Sequence, residues 1–300
     1  MNIIFMGTPD FAVPSLQRIF NSEHKLVAVV TAPDKERGRG QKISYTPIKE
    51  FALKNNIPLL QPVRLKDQEF IKSLTILSPD LFVVVAFRIL PREVFSIPKY
   101  GSFNLHASLL PKYRGAAPIQ WAIINGDHET GVTTFALEDK VDTGNIFIQK
   151  KIEISDKDNF GDIHDKLSIL GADVVAETIG LINSGNYKLL NQDDFLASPA
   201  PKITKESGLI RWNKTADEIN NLVRGLSPYP GAYFIYKNKL IKVYQSSANK
   251  DSKLSPGEIS AGKNELTIGC ISGSLNVIEV QLEGKKKMHV SEFLRGFNFS

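Results

Sequence analysis

Over the first 180 residues, short apolar runs alternate with longer stretches in which apolar residues recur every three or four positions. Asn2–Met6, Leu26–Thr31 and Leu81–Ala86 read as buried strands, the last (LFVVVA) apolar on both faces. Phe103–Leu105, Val132–Phe135 and Asn145–Ile154 read as further strands. Helical spacing covers Asp10–Phe20, Thr46–Asn55, Asp67–Leu77 and Ala116–Asn125, and a long amphipathic segment runs from Asn159 to Ile182. Strands alternating with helices predict an α/β domain on a parallel sheet. From Asn191 to Ser207 the rhythm stops, with two prolines and little periodicity, and the stretch reads as a linker. A short helix at Thr215–Gly225 then precedes closely spaced strands at Ala232–Tyr236, Lys239–Gln245, Leu266–Cys270 and Ser274–Leu282, the pattern of a small OB-like β-barrel. The expected division is therefore 1–190, a linker at 191–207, and 208–300.

Composition adds little to this picture, but charge does. The 300 residues are 42% hydrophobic and 23% charged, ordinary values for a globular chain. The net charge of +5 is uneven: residues 1–207 hold 24 basic and 24 acidic side chains, whereas 208–300 hold 13 and 8. A basic module beside a neutral one suits a polyanionic partner such as nucleic acid, and the plain alternative is a lysine-rich solvated surface. The single cysteine, Cys270, excludes an intrachain disulfide and a thiolate metal cluster. No run of about 18 apolar residues marks a membrane span, and MNIIFMGTPD lacks the pattern of a secretion signal. The expectation is a cytoplasmic monomer that works without a membrane.

Candidate chemistry gathers at FNLHASLLPKYRG (103–115) and VDTG (141–144). On a strand, Asn104 and His106 share a face. An amide donor, a proton-transfer group and a carboxylate to orient it, Asp142, suffice for acyl transfer through an oxyanion. Taken singly, His106 could be a satisfied core histidine and Asp142 an ordinary turn residue. Leu109, Leu110 and Pro111 form an apolar ledge beside the histidine, suited to a flat aromatic ligand. The turn GTPDF after the first strand matches a dinucleotide fingerprint only at Gly7, so no nucleotide cofactor is expected there. The loop APDKERGRGQK (32–42) carries Lys35, Arg37, Arg39 and Lys42 among glycines and reads as a mobile, electropositive loop for a phosphate backbone. Lys285, Lys286 and Lys287 are a solvated turn or a second phosphate contact. The remaining histidines lie in turns, near the C-terminus or, for His164, on a helix surface; none is spaced for a metal, and no metal site is expected.

These motifs carry a resemblance. NxHxSLLPxxRGAAPIQ (Asn104 to Gln120) followed by Asp142-Thr143-Gly144 resembles the 10-formyltetrahydrofolate-dependent formyltransferases. MGTPDFA (Met6–Ala12), PD…GRG (Pro33–Gly40), Gln61-Pro62, GDHETGVT (Gly126–Thr133), Trp212-Asn213 and SPYPGA (Ser227–Ala232) are similar to the same family and span both halves of the chain. The resemblance implies transfer of the formyl group of 10-formyltetrahydrofolate, a co-substrate, to the α-amine of methionine carried by initiator tRNA. It implies a Rossmann-like N-terminal catalytic domain, an OB-like C-terminal domain that helps hold the tRNA, and catalytic roles for Asn104, His106 and Asp142. Folate contacts fall to Ser108, Leu109, Leu110 and Pro111 and to the loop Arg88, Ile89 and Leu90. Contacts to tRNA fall to Lys35, Arg37, Arg39, Lys42 and Lys285–Lys287. The alternatives are a small amine acceptor (glycinamide ribonucleotide or an amino sugar nucleotide) and a tRNA-binding protein without catalysis. Two departures stand out: AFRILP (Ala86–Pro91) is one residue shorter than the family's glycine-containing loop, and Lys140 replaces a glycine, so its backbone must avoid positive φ.

Overall fold

The structure, a computed structural model, describes residues 1–37 and 42–299. They fall into two compact units. The first comprises Met1–Gly115, Gly131–Ile152 and His164–Pro199; the second Ala116–Thr130, Glu153–Ile163 and Ala200–Ser300.

The strands of the first part of the chain are β1 (Asn2–Gly7), β2 (Lys25–Val30), β3 (Lys35–Arg37), β4 (Lys42–Ser44), β5 (Leu59–Leu60), β6 (Leu81–Val85), β7 (Ser102–His106), β8 (Arg114–Gly115), β9 (Glu129–Ala136) and β10 (Ile146–Glu153). The helices are α1 (Val13–Phe20), α2 (Pro47–Lys54), α3 (Gln68–Ile76), α4 (Arg92–Phe95), α5 (Pro118–Ile124) and α6 (Phe160–Ser184). Seven strands make one sheet in the order β10-β9-β7-β6-β1-β2-β5. From β5 to β7 all neighbours are parallel, and β9 runs antiparallel to β7. The strand order reverses between β1 and β6, the position at which open α/β sheets hold ligands beyond the carboxyl ends of their strands.

The apolar run of β6 is buried at every position because helices cover both faces of a parallel sheet. Ile4, Met6, Phe82 and Val84 alternate onto one face and pack with Phe70 and Leu74 of α3. Thr46 and Asp67 cap α2 and α3, accepting from Lys49 N at 3.1 Å and Glu69 N at 2.9 Å. At Gly7, where β1 turns toward α1, a Cβ would stand 2.8 Å from the Phe5 ring and 3.1 Å from Val85 O, so only glycine lets β1 end this close to β6. Helix α6 is long and apolar enough by composition to cross a membrane, yet half of its most apolar window is buried in the fold. Its Ser168 Oγ donates to Phe11 O at 2.9 Å and its Thr178 hydroxyl pairs with that of Thr134 at 2.7 Å.

The stretch that reads as a mobile loop has paired ends. β3 and β4 form an antiparallel ladder, Lys35 opposite Ser44 and Arg37 opposite Lys42. Its base is tied down by the two short motifs beside it. Gln61 Nε2 donates to Ala32 O and to Asp34 Oδ1, both at 2.9 Å, and Lys49 Nζ holds Asp34 Oδ2 at 2.6 Å. The Gln61 amide and then the Lys49 ammonium hold the Asp34 carboxyl below the usual carboxylate range.

The later elements are β11 (Pro199–Ala200), α7 (Ala216–Gly225), β12 (Ala232–Tyr236), β13 (Lys239–Asn249), β14 (Ile259–Ala261), β15 (Leu266–Gly269), β16 (Ser274–Leu282), β17 (Met288–His289) and α8 (Val290–Phe293). In the second unit β12-β13-β16-β15-β14 form an antiparallel sheet, with β17 added on β16. Register shifts around Gln245 bend β13 against β16, as bulges do in barrel-like sheets. Inward positions Ile241, Val243, Leu275 and Val277 pack against Ile219 and Val223 of α7. Cys270 lies in this core, where burial pushes its thiol up to about 11; it is a small hydrophobe here and not a nucleophile.

Candidate active site

Strand β7 delivers two of the three expected groups. It lies inside the sheet between β6 and β9, so its backbone is fully paired and its side chains alternate. Asn104 is half-buried, opposite Phe135, and its amide makes no hydrogen bond among the described residues; His106 ends the strand opposite Thr133 and is buried. The imidazole stands edge-on to Phe135, with centroids 6.4 Å apart.

The histidine has two different neighbours. Nε2 lies 2.8 Å from the backbone oxygen of Tyr113. A carbonyl only accepts, so Nε2 carries the hydrogen and neutral His106 has its lone pair on Nδ1. Nδ1 lies 3.9 Å from Asp142 Oδ2, both side chains being at least 87% buried. That distance is too long for a hydrogen bond, so the carboxylate stands beside Nδ1 without bonding to it. The sequence pattern has Asp142 orient and charge-stabilise the ring; in the structure the ring's hydrogen bond goes to Tyr113 O, and Asp142 Oδ2 lies beside Nδ1.

Asp142 is itself held. Its Oδ2 accepts from Gly115 N at 2.8 Å. Its backbone is left-handed, φ 57°, a region asparagine and aspartate visit more readily than other residues. Lys140 has no positive φ, as its side chain requires; the turn takes that conformation two residues later. At Gly144 a Cβ would fall 1.7 Å from Ala136 O, so the Asp-Thr-Gly turn can lie against β9 only with glycine there.

The ledge after His106 is narrower than its sequence suggests. Ser108 is buried and its Oγ donates to Lys112 O at 2.6 Å. Leu110 is buried with Phe135 and Ile146. Thr133 Oγ1 donates to Ser108 O and Gln149 Nε2 to Leu110 O, so the turn is braced from within. Leu109 and Pro111 are the half-buried members of the ledge. In the neighbouring loop Ile89 is 74% exposed and Leu90 buried. Arg88 donates to Pro62 O at 2.7 Å and Val63 O at 3.1 Å, and burial lowers its guanidinium below the usual range. Its charge ties two edge loops together.

The basic residues lie apart from this cluster. Lys35 is exposed on β3, while Arg39 lies outside the described residues; Arg37 and Lys42 are described by their backbone alone. Lys285, Lys286 and Lys287 are exposed in the turn after β16, and Lys287 pairs with Glu279 at 2.7 Å. His164 is more enclosed than expected for a surface position, 20% exposed and 2.9 Å from Asp165. Among the described residues no group of three or more His, Cys, Asp or Glu side chains is placed to hold a metal ion.

A family model for formyl transferases matches residues 1–179, and one for the formyl transferase C-terminal domain matches 202–298. This chain belongs to the formyl transferase family. It is 47% identical to the methionyl-tRNA formyltransferase of Flavobacterium johnsoniae over the whole chain and 97% of that protein. It is 46% identical to the methionyl-tRNA formyltransferase of Caldanaerobacter subterraneus over 99% of the chain and 97% of the relative. Among solved structures, the sugar 3N-formyl transferase WlaRD, crystallised in the presence of dTDP and 5-N-formyl-THF, superposes with a TM-score of 0.71 at 25% identity, covering 95% of this chain and 99% of that one. Two groups beside these candidate residues have no signal in the sequence: the Tyr113 carbonyl against His106, which carries no side-chain identity, and Gln192, which donates to Asp142 O and Gly144 O from the stretch that reads as a linker.

Proposed function

We propose that the chain transfers the formyl group of 10-formyltetrahydrofolate to the α-amine of methionyl-tRNA. The identity to methionyl-tRNA formyltransferases over the full length supports the acceptor. The observation that carries the chemistry is the unpartnered Asn104 amide on the same strand face as a histidine whose basic nitrogen faces a buried carboxylate. The amine attacks the formyl carbon and the carbonyl π electrons move to oxygen. Asn104 donates to that oxyanion. Nδ1 of His106 takes a proton from the attacking nitrogen and returns it to N10 as the carbon–N10 bond breaks. Asp142 stabilises the imidazolium between those steps, and Tyr113 O keeps the other ring nitrogen protonated throughout. Leu109, Pro111 and the Arg88–Leu90 loop border the folate, with Ser108 and Leu110 holding the ledge from behind.

Lys35, Arg37, Arg39 and Lys42 on one unit and Lys285–Lys287 on the other contact the tRNA backbone; the concentration of positive charge in residues 208–300 supports this. Both substrates are soluble, and the enzyme works in the cytoplasm as a monomer, which elution at 33.3 kDa in gel filtration tests. The deciding experiment is formylation of charged initiator tRNA with the folate donor. Wild type transfers the formyl group and His106→Ala loses at least about 10²-fold in kcat; equal rates would overturn the assignment.

A further inference from the structure

Residues 192–198 lie in the stretch that reads as connective in the sequence, yet they touch both neighbours of His106. Gln192 Nε2 donates to Asp142 O at 3.0 Å and to Gly144 O at 2.8 Å, bracketing the turn that carries the carboxylate. Its Oε1 accepts from Arg114 Nε at 3.1 Å and Nη2 at 2.8 Å. Arginine only donates and carbonyls only accept, so the amide has one orientation. Arg114 is fixed in turn by Asp194 at 2.7 Å. Six residues on, Ser198 Oγ accepts from Tyr113 N and Ser198 O from Arg114 N, both at 2.9 Å. Tyr113 has a left-handed backbone, φ 62°, and its carbonyl receives Nε2–H of His106.

We propose that Gln192 is a positioning residue for catalysis, holding the Asp142 carboxylate against Nδ1 of His106, and that Ser198 does the same for the Tyr113 carbonyl. Residues 192–198 are thus a strap that sets both sides of the imidazole. The inference rests on the reading of His106 and Asp142 as the proton-transfer pair. The backbone around Asp142 has no regular ladder to hold it in its left-handed conformation. The two bonds from Gln192 fill that role from 48 and 50 residues away.

The test is steady-state formylation by the full chain carrying Gln192→Ala, Gln192→Glu, Asp142→Asn and the Gln192→Ala/Asp142→Asn pair. Gln192→Ala lowers kcat about 10–100-fold, the scale of a misplaced catalytic group, and leaves both KM values within about twofold. Gln192→Glu is nearly isosteric and still accepts from Arg114, but it turns an acceptor toward two carbonyls, so its kcat falls at least as far. In the Asp142→Asn background, Gln192→Ala costs less than about twofold further, because it acts through a group already disabled. Wild-type kcat in Gln192→Glu, or losses that multiply in the double variant, would overturn the proposal. An inactive His106→Ala beside a fully active Gln192→Ala would sink the strap alone; an active His106→Ala would sink the proposed function with it.

Discussion

The two units solve different physical problems. In the first, the end of β7 buries a histidine and a carboxylate together, and its turns hold Tyr113 and Asp142 in left-handed conformations. In the second, the core cluster against α7 is apolar and burial raises the pKa of its thiol, while the lysines of the turn after β16 stand exposed. Chemistry needs charge out of water and at fixed angles, so it needs braces such as Gly115 N, Gln192 and Thr133. Holding a polyanion needs only exposed cations on a stable platform. The first unit should therefore lose rate when a single atom is removed, and the second should lose affinity gradually, charge by charge.

Removing the amide of Asn104 is the sharpest probe of that contrast. Asn104→Ala is expected to lower kcat about 10²–10³-fold, the effect of deleting one oxyanion donor, with little change in tRNA affinity. Rapid-quench formylation and a binding assay on the same variant separate the two quantities. A variant that binds weakly yet turns over normally would place Asn104 in recognition instead.

How much of this the sequence disclosed depends on the kind of interaction. Strands buried on both faces, such as LFVVVA, and helices opened by Thr46, Asp67 and Thr215 have local signatures, and the structure has them within a residue or two. The nearness of His106 and Asp142, 3.9 Å apart, was legible because an imidazole and a carboxylate stand in two short motifs that follow apolar runs. Short strands β5 and β14 were not, since two or three residues carry no periodicity. The β3–β4 ladder was hidden by its charges and glycines, and β13 runs on to Asn249, past polar residues whose pattern predicts an end at Gln245. Gln192 was invisible for a different reason. Nothing local distinguishes a glutamine that braces a turn 50 residues away from one that faces water.

The lysine turn tests the other side of the comparison with a smaller effect. Lys287 is already paired with Glu279 and sits 5.7 Å from the Tyr244 ring, so Lys285 and Lys286 are the better probes. Lys285→Gln/Lys286→Gln should leave kcat at saturating tRNA unchanged. The slope of log affinity against log salt should fall by about two, roughly one for each phosphate no longer neutralised. An unchanged slope would take this turn out of the tRNA surface.

The smallest effect concerns the platform itself. Thr215 and Glu218 form a reciprocal cap on α7: Thr215 N donates to Glu218 Oε2 at 2.9 Å, and Glu218 N to Thr215 Oγ1 at 3.2 Å. The Thr215 backbone N–H, followed by the Lys214 ammonium and the Thr215 hydroxyl, lowers the Glu218 carboxyl to about 2. A carboxyl depressed on folding contributes stability that is complete above its ordinary value of 4.5 and is lost as pH falls toward about 2. Because Glu218 is half-exposed, solvent screening keeps that contribution below about 1 kcal/mol. Glu218→Gln keeps the cap's geometry, since glutamine also serves at this position, but removes the charge. It should be slightly less stable than wild type at pH 7, with the gap closing as pH falls from 4.5 through about 2. Both tryptophans, Trp121 and Trp212, belong to the second unit, so urea unfolding followed by their fluorescence reads this unit directly. Parallel pH profiles for the two proteins would mean that the cap holds α7 by geometry alone and that charge in this unit serves only its surface.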